Sequence, residues 1–230
     1  MLERNKPRVV FTFVEAGLGH IIPMNGLYER FVEKYGHKCE VIKSYIFSDS
    51  KHNAVKSMAK AQADHVKRLS GSWLYNMGEL ITYKFSSKFT LWLLDRVFGK
   101  ARKGVMEDMK ELKPDLMVSS YYLPSHLAVE SNNKKITDTL IATYVPDTYV
   151  YPSWDRNCDL LLVNNDDAYN MAISTGYEKE KVAKIPFIYR NDIEQYSTTK
   201  EEAKEKLGLD NGKFTLLCAM GGYGDQKSVV

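Results

Sequence analysis

The sequence predicts a doubly wound parallel α/β sheet with helices on both faces. Three observations carry this expectation. Short, almost wholly apolar runs recur at residues 9–14, 115–119, 139–144 and 159–163, as strands buried on both faces require. Segments of helical periodicity separate them. A glycine-rich corner, Gly17-Leu-Gly-His20, follows the first run. In such sheets that is where ligands bind, beyond the carboxyl ends of the strands.

Taken in order, residues 9–14 form the first strand. The helix after it is expected to begin at Pro23, whose missing N–H costs nothing in a first turn, and places Leu27, Phe31 and Val32 at helical spacing. Tyr35-Gly36 ends it, and residues 39–47 read as the second strand. From about Lys51 to Leu112 the pattern is helical, with breaks expected near Gly71, Ser86-Ser87 and Gly99 and an end at Pro114. Three further strands follow, with helices at 125–132 and 166–175, and Ile185-Pro186-Phe187 reads as the end of another short strand. Residues 189–199 are polar and turn-rich, the best linker. A short charged helix at 200–207 and an apolar strand at 214–220 then lead into Gly221-Gly222-Tyr223-Gly224. The expected division is an N-terminal domain over 1–195, then a linker and the beginning of a second domain, truncated after its first strand, over 196–230.

Hydrophobic residues make up 44% of the 230-residue chain and charged residues 27%, the balance of a globular domain, and the formal net charge of +3 is too small for a general nucleic-acid binder. Cys39, Cys158 and Cys218 stand far apart with no CxxC, which argues against a disulfide framework or structural zinc and for a reducing cytoplasm. The N-terminus lacks the apolar core of a signal peptide, and no apolar run is long enough to span a bilayer.

His20 is the candidate for chemistry. At the corner before or at a helix N-terminus, the positive end of the helix dipole disfavours imidazolium, and a neutral ring can accept a proton. The alternative is that the ring caps the helix. A dinucleotide fingerprint fits poorly: Pro23 stands where the third glycine belongs, and no acidic residue ends the second strand. His37, His52, His65 and His126 show no metal-ligand spacing, and His126 is expected to face solvent or, less readily, to line a cleft.

Residues 51–104 carry eleven Lys or Arg against three Asp or Glu, interleaved with Trp73, Tyr75, Tyr83, Phe85, Phe89, Trp92 and Phe98. Basic helices with aromatic faces bind anionic membrane surfaces, each cation contributing roughly 1 kcal/mol. Lys67, Arg68, Trp73, Lys84, Lys88, Trp92 and Arg96 are the candidate contacts. The competing expectation is an amphipathic pair packed on the sheet with a solvated face. No nucleic-acid motif accompanies the charge.

Several segments together resemble the diacylglycerol glycosyltransferases, namely the processive glucosyl enzymes and the monogalactosyldiacylglycerol synthases, relatives of the peptidoglycan N-acetylglucosaminyltransferase. Gly17-Leu-Gly-His20 resembles the family's G-x-G-H turn, and Lys113-Pro-Asp-Leu-Met-Val-Ser-Ser120 its KPD strand. Tyr144-Val-Pro-Asp-Thr-Tyr-Val-Tyr-Pro-Ser-Trp154 resembles its T-D…H-P-x-W segment, with Pro146 and Tyr151 in place of the threonine and histidine. Val182-Ala-Lys-Ile-Pro186 resembles V-x-G-I-P, with Lys184 for the glycine. The resemblance implies a GT-B architecture of two Rossmann-like domains. It also implies inverting, metal-independent transfer from a UDP-sugar, with no cofactor, to a lipid acceptor such as diacylglycerol. The enzyme would be cytoplasmic and peripheral on the inner face of the membrane. His20 becomes the base and Asp147 its assistant, with Gly17, Gly19, Tyr151 and Trp154 on the acceptor side. Gly221, Gly222 and Gly224 would approach the donor diphosphate. This chain would be the acceptor-side part, inactive alone. Two other functions are carried beside it: a UDP-N-acetylglucosamine 2-epimerase, which the basic insert disfavours, and a non-catalytic membrane-lipid-binding module.

Overall fold

The computed structural model describes residues 6–15, 18–60, 87–194 and 197–216, with the backbone alone at 87–98 and 194. Six parallel strands form one sheet: β1 (Arg8–Thr12), β2 (Glu40–Ser44), β3 (Leu116–Ser119), β4 (Leu140–Tyr144), β5 (Leu160–Val163) and β6 (Val182–Lys184), in the order β2-β1-β3-β4-β5-β6. The helices are α1 (Leu18–Tyr35), α2 (Ser87–Leu112), α3 (Tyr122–Asn133), α4 (Asp166–Ser174), α5 (Asn191–Glu194) and α6 (Lys200–Lys206). Residues 53–60 are also helical. The fold is α/β and Rossmann-like, as expected.

Alternation along the strands divides the core into two layers, because successive side chains leave opposite faces of a sheet. Val9, Phe11, Phe13, Val118 and Ala142 pack with Met24 of α1, while Met117, Ile141, Leu161 and Val163 pack with residues of α2, α3 and α4. On α1 the packing is aromatic: Phe11 meets Tyr28 and Phe31 edge-on at 5.5 and 5.4 Å. α4 has conventional ends. Asn165 accepts the Ala168 N–H at its start, and Gly176, at φ +98°, lets Tyr177 N–H return to the Ala172 carbonyl at its finish.

Four local expectations are corrected. α1 begins at Leu18 rather than Pro23, so the proline sits one turn inside the helix. Its missing N–H forfeits only the bond to the Gly19 carbonyl, at the exposed end where backbone groups can reach water. α2 runs unbroken through Gly99, since glycine weakens but does not end a helix whose other residues pack. Along it Gly104 is required by crowding: a Cβ there would lie 2.8 Å from atoms of His52 and Val55. The last strand closes at Lys184, just before Ile185-Pro186-Phe187. Residues 214–216 carry no strand, and the rest of the expected strand 214–220 lies outside the described residues.

Candidate active site

The strand order places a topological switch point between β1 and β3. The chain leaves β1 toward β2 on one side and returns to β3 on the other, and in open α/β sheets ligands bind beyond the carboxyl ends at such a point. Three segments meet there: the corner after β1, the Ser119-Ser120-Tyr121-Tyr122 turn after β3, and the loop after β4.

His20 is the third residue of α1 and is half-buried. Its Nδ1 lies 2.6 Å from the Ser120 carbonyl oxygen. A carbonyl only accepts, so Nδ1 carries the hydrogen, and in the neutral ring the lone pair stands on Nε2. Ser120 is fastened in return, its hydroxyl donating to the His20 carbonyl at 3.0 Å. The Ser119 hydroxyl shapes the same turn, donating to the Tyr121 carbonyl at 2.9 Å and accepting the Tyr121 N–H at 3.1 Å. The Tyr121 ring meets the imidazole edge-on at 5.2 Å. Thus the ring is held on one edge by a hydrogen bond and flanked by an aromatic neighbour at right angles to it, which fixes tautomer and orientation together.

Asp147 follows β4 and is half-buried. Burial pushes its carboxyl above the ordinary aspartate range, and the electrostatic pull of His20 opposes that shift, so the two groups sense one another. The Asn164 amide beyond β5 holds the neighbouring backbone, donating to the Pro146 and Val145 carbonyls at 3.0 and 3.4 Å. Tyr144, fully buried, carries a phenol that burial also pushes up.

The expected acceptor-side residues divide. Gly17 lies outside the described residues. Gly19 is exposed in the first turn of α1, with nothing within 4 Å of an added Cβ. Tyr151 is half-buried against the core. Trp154 is only 3% exposed and packs edge-on against Tyr122 at 6.4 Å, so it supports the site from beneath instead of offering a surface. Tyr122 in turn touches Tyr121 at 4.5 Å. A chain of rings therefore runs from His20 into the core. The sequence reading passed over Ser120, Tyr121 and Tyr122; the hint available was a Ser-Ser-Tyr-Tyr run closing an apolar strand.

His126, expected to face solvent or, less readily, to line a cleft, does not face solvent. It is partly buried, with Nδ1 2.6 Å from the Asp155 carboxylate. A cleft of about 260 Å³, including space open to solvent, lies beside the end of β1 between Phe13, Val14, Glu15, Phe47, Ser48 and Ala59. Among the described residues no cluster of His, Cys, Asp and Glu could hold a metal ion.

Of the membrane candidates, Lys67, Arg68, Trp73 and Lys84 lie outside the described residues. Positions 88, 92 and 96 recur every four residues along α2, where only the backbone is described. The chain entering that region is secured to α2: His52 Nε2 lies 3.3 Å from Glu107, Lys51 pairs with Glu111, and Ser50 bonds Asp108. Among the described residues no helix is long and apolar enough to cross a membrane. Gly221, Gly222 and Gly224 also lie outside the described residues.

A half-buried histidine of fixed tautomer, in electrostatic contact with a half-buried carboxylate at the carboxyl end of a parallel sheet, marks a Rossmann-like domain with a candidate proton acceptor. The model of the monogalactosyldiacylglycerol (MGDG) synthase family matches residues 20–185, and the chain belongs to that family. Among solved structures it is similar to Anabaena HepE in complex with UDP and glucose, at 13% identity and a TM-score of 0.46, over 88% of this chain and 50% of that one. The chain thus spans about half the length of that protein. No curated protein sequence matches it.

Proposed function

We propose that the chain is the acceptor-side part of a UDP-sugar-dependent, inverting glycosyltransferase that glycosylates a membrane lipid such as diacylglycerol. The observation that carries this reading is the His20 imidazole. Its Nδ1–H is committed to the Ser120 carbonyl, which leaves Nε2 as the proton-accepting edge at the switch point of a chain of the MGDG synthase family.

In the proposed step the acceptor hydroxyl oxygen attacks the anomeric carbon of the sugar. Its proton passes to His20 Nε2, while the bond from that carbon to the diphosphate breaks and UDP leaves with the electron pair. Asp147 stabilises the imidazolium that forms, a role suited to a carboxylate that interacts with the ring. The first turn of α1, with its unpaired N–H groups and the open face at Gly19, favours the developing negative charge nearby. The reading needs no resident cofactor or metal. The basic, aromatic segment 51–104 would bring the site to an anionic surface on the inner face of the membrane, and the residues after 195 would begin the donor-binding domain.

The test is sugar transfer from UDP-glucose or UDP-galactose to diacylglycerol in anionic vesicles by the full-length protein containing this chain. A glycolipid product that disappears in His20→Ala supports the reading. Epimerised sugar nucleotide without lipid product would favour the epimerase alternative, and vesicle binding without turnover the non-catalytic one.

A further inference from the structure

The connection from β4 to β5, residues 145–159, holds no helix or strand, yet it carries Asp147 and Tyr151 at one end and returns to the sheet at the other. Long structureless connections in compact domains are usually functional, and they keep one shape only if something ties them down. This loop is tied at intervals. Asn164 holds its start, Val150 and Trp154 are buried to 1% and 3% exposure, and Cys158 is fully buried. Between these apolar anchors stands a charged side-chain pair, where His126 on α3 meets Asp155 on the loop at 2.6 Å, with side chains 18% and 8% exposed. Asp155 also accepts the Asn157 backbone N–H and side-chain amide, each at 2.9 Å. The other groups that sense Asp155 are Cys158 and Tyr177, while Arg156 points away to the Thr175 carbonyl.

We infer that His126 and Asp155 are a positioning pair: their hydrogen bond clasps the 145–159 loop to α3 and thereby sets where Asp147 and Tyr151 stand beyond β4. The catalytic meaning of that placement rests on the proposed transfer reaction; the clasp itself does not. Position along the chain explains the leverage. His126 is one turn into α3, the helix whose start supplies Tyr122, and Trp154, next to Asp155, packs on that tyrosine. The clasp therefore lies beside the ring contact that leads back to Tyr121 and His20. Burial raises the Asp155 carboxyl, but the His126 hydrogen bond and the two from Asn157 outweigh it and leave the group below its ordinary range.

The experiment compares His126→Ala with His126→Asn in this chain, since an asparagine amide nitrogen falls near the place of Nδ1 and can still donate. Amide hydrogen exchange over 145–159 and the NMR titration of the Asp147 carboxyl are read. In His126→Ala the loop amides should exchange about tenfold faster or more, as loss of a hydrogen bond to a charged group implies, while β1 and β3 keep their protection. The Asp147 titration should move down toward the ordinary value as the loop loosens and water reaches it. His126→Asn should restore both. Unchanged exchange and titration overturn the inference. So does acceleration by one common factor across the whole sheet, which would make the pair a general stability element. Should His126→Ala not fold, Asp155→Asn carries the same comparison with the same outcomes. Neither readout requires a sugar donor, so failure of the lipid-transfer reading is separable from failure of the clasp.

Discussion

Two glycines of α1 should respond to the same substitution with opposite signs. An added Cβ at Gly26 would lie 2.6 Å from the Tyr189 backbone oxygen and 3.2 Å from the Ile188 Cγ2 atom. The backbone oxygen cannot swing aside as a flexible side chain would. Its segment is held by the Asn191 amide on Glu29 at 2.7 Å, two residues further along. Overpacking of this kind costs about 1–3 kcal/mol. Alanine recovers about 1 kcal/mol of helix propensity. The clash wins, leaving Gly26→Ala destabilised by roughly 1 kcal/mol, or about 2–4 °C in Tm for a chain of this size. At Gly19 nothing lies within 4 Å, so Gly19→Ala meets no clash and keeps only the propensity gain of up to about 1 kcal/mol, reduced at a helix end. Thermal and urea unfolding of both variants beside the parent would measure this. A Gly26→Ala protein as stable as the parent, or a Gly19→Ala protein less stable by more than about 1 kcal/mol, would refute the packing described for α1.

Asp147 and Asp155 should also respond oppositely. The folded-state pKa of Asp147 is raised, so the fold binds that proton more tightly than the unfolded chain does; stability from this group is lost as pH rises from the ordinary value of 3.8 through the raised one. Asp147→Asn should therefore raise Tm at neutral pH. Asp155 is lowered, so its contribution is present above the ordinary value and lost as pH falls through the folded one. Asp155→Asn should lower Tm at neutral pH, with the difference from the parent closing in acid; Tm against pH reads both. Lys204, 8% exposed, donates to the Asp210, Asn211 and Lys213 carbonyls at 3.2, 3.5 and 2.5 Å. Lys204→Met should cost about 1–3 kcal/mol locally and speed amide exchange at 207–213, which exchange mass spectrometry would detect. His20→Ala in the full-length protein should lower kcat by about two to four orders of magnitude, and a near-normal rate would remove His20 from the reaction.

Much of the architecture was legible because strands and helices are written locally. The buried runs at 9–14, 115–119, 139–144 and 159–163 contain β1, β3, β4 and β5 to within a residue or two, since a strand covered on both faces needs apolar side chains at nearly every position. The glycine corner with its histidine was legible for the same reason, as a short-range pattern at a strand's carboxyl end. What the residues around His20 cannot encode is its partner. The Ser120 carbonyl lies one hundred residues away, and a backbone oxygen leaves no trace in side-chain identity. The same holds for Trp154, whose aromatic character suits a ligand face and a core equally; it is buried because Tyr122 arrives from the start of α3. The start of α1 at Leu18 eluded a rule based on Pro23 because that rule weighs one missing N–H, whereas the helix is held by Met24, Tyr28 and Phe31 against the sheet. By itself the chain determined the central strands β1, β3, β4 and β5 and which histidine stands at the corner. Which edge of that ring is committed, and which carboxylate shares its field, was decided by how β1, β3 and β4 lie side by side, because hydrogen bonds and charges act across space and not along the chain.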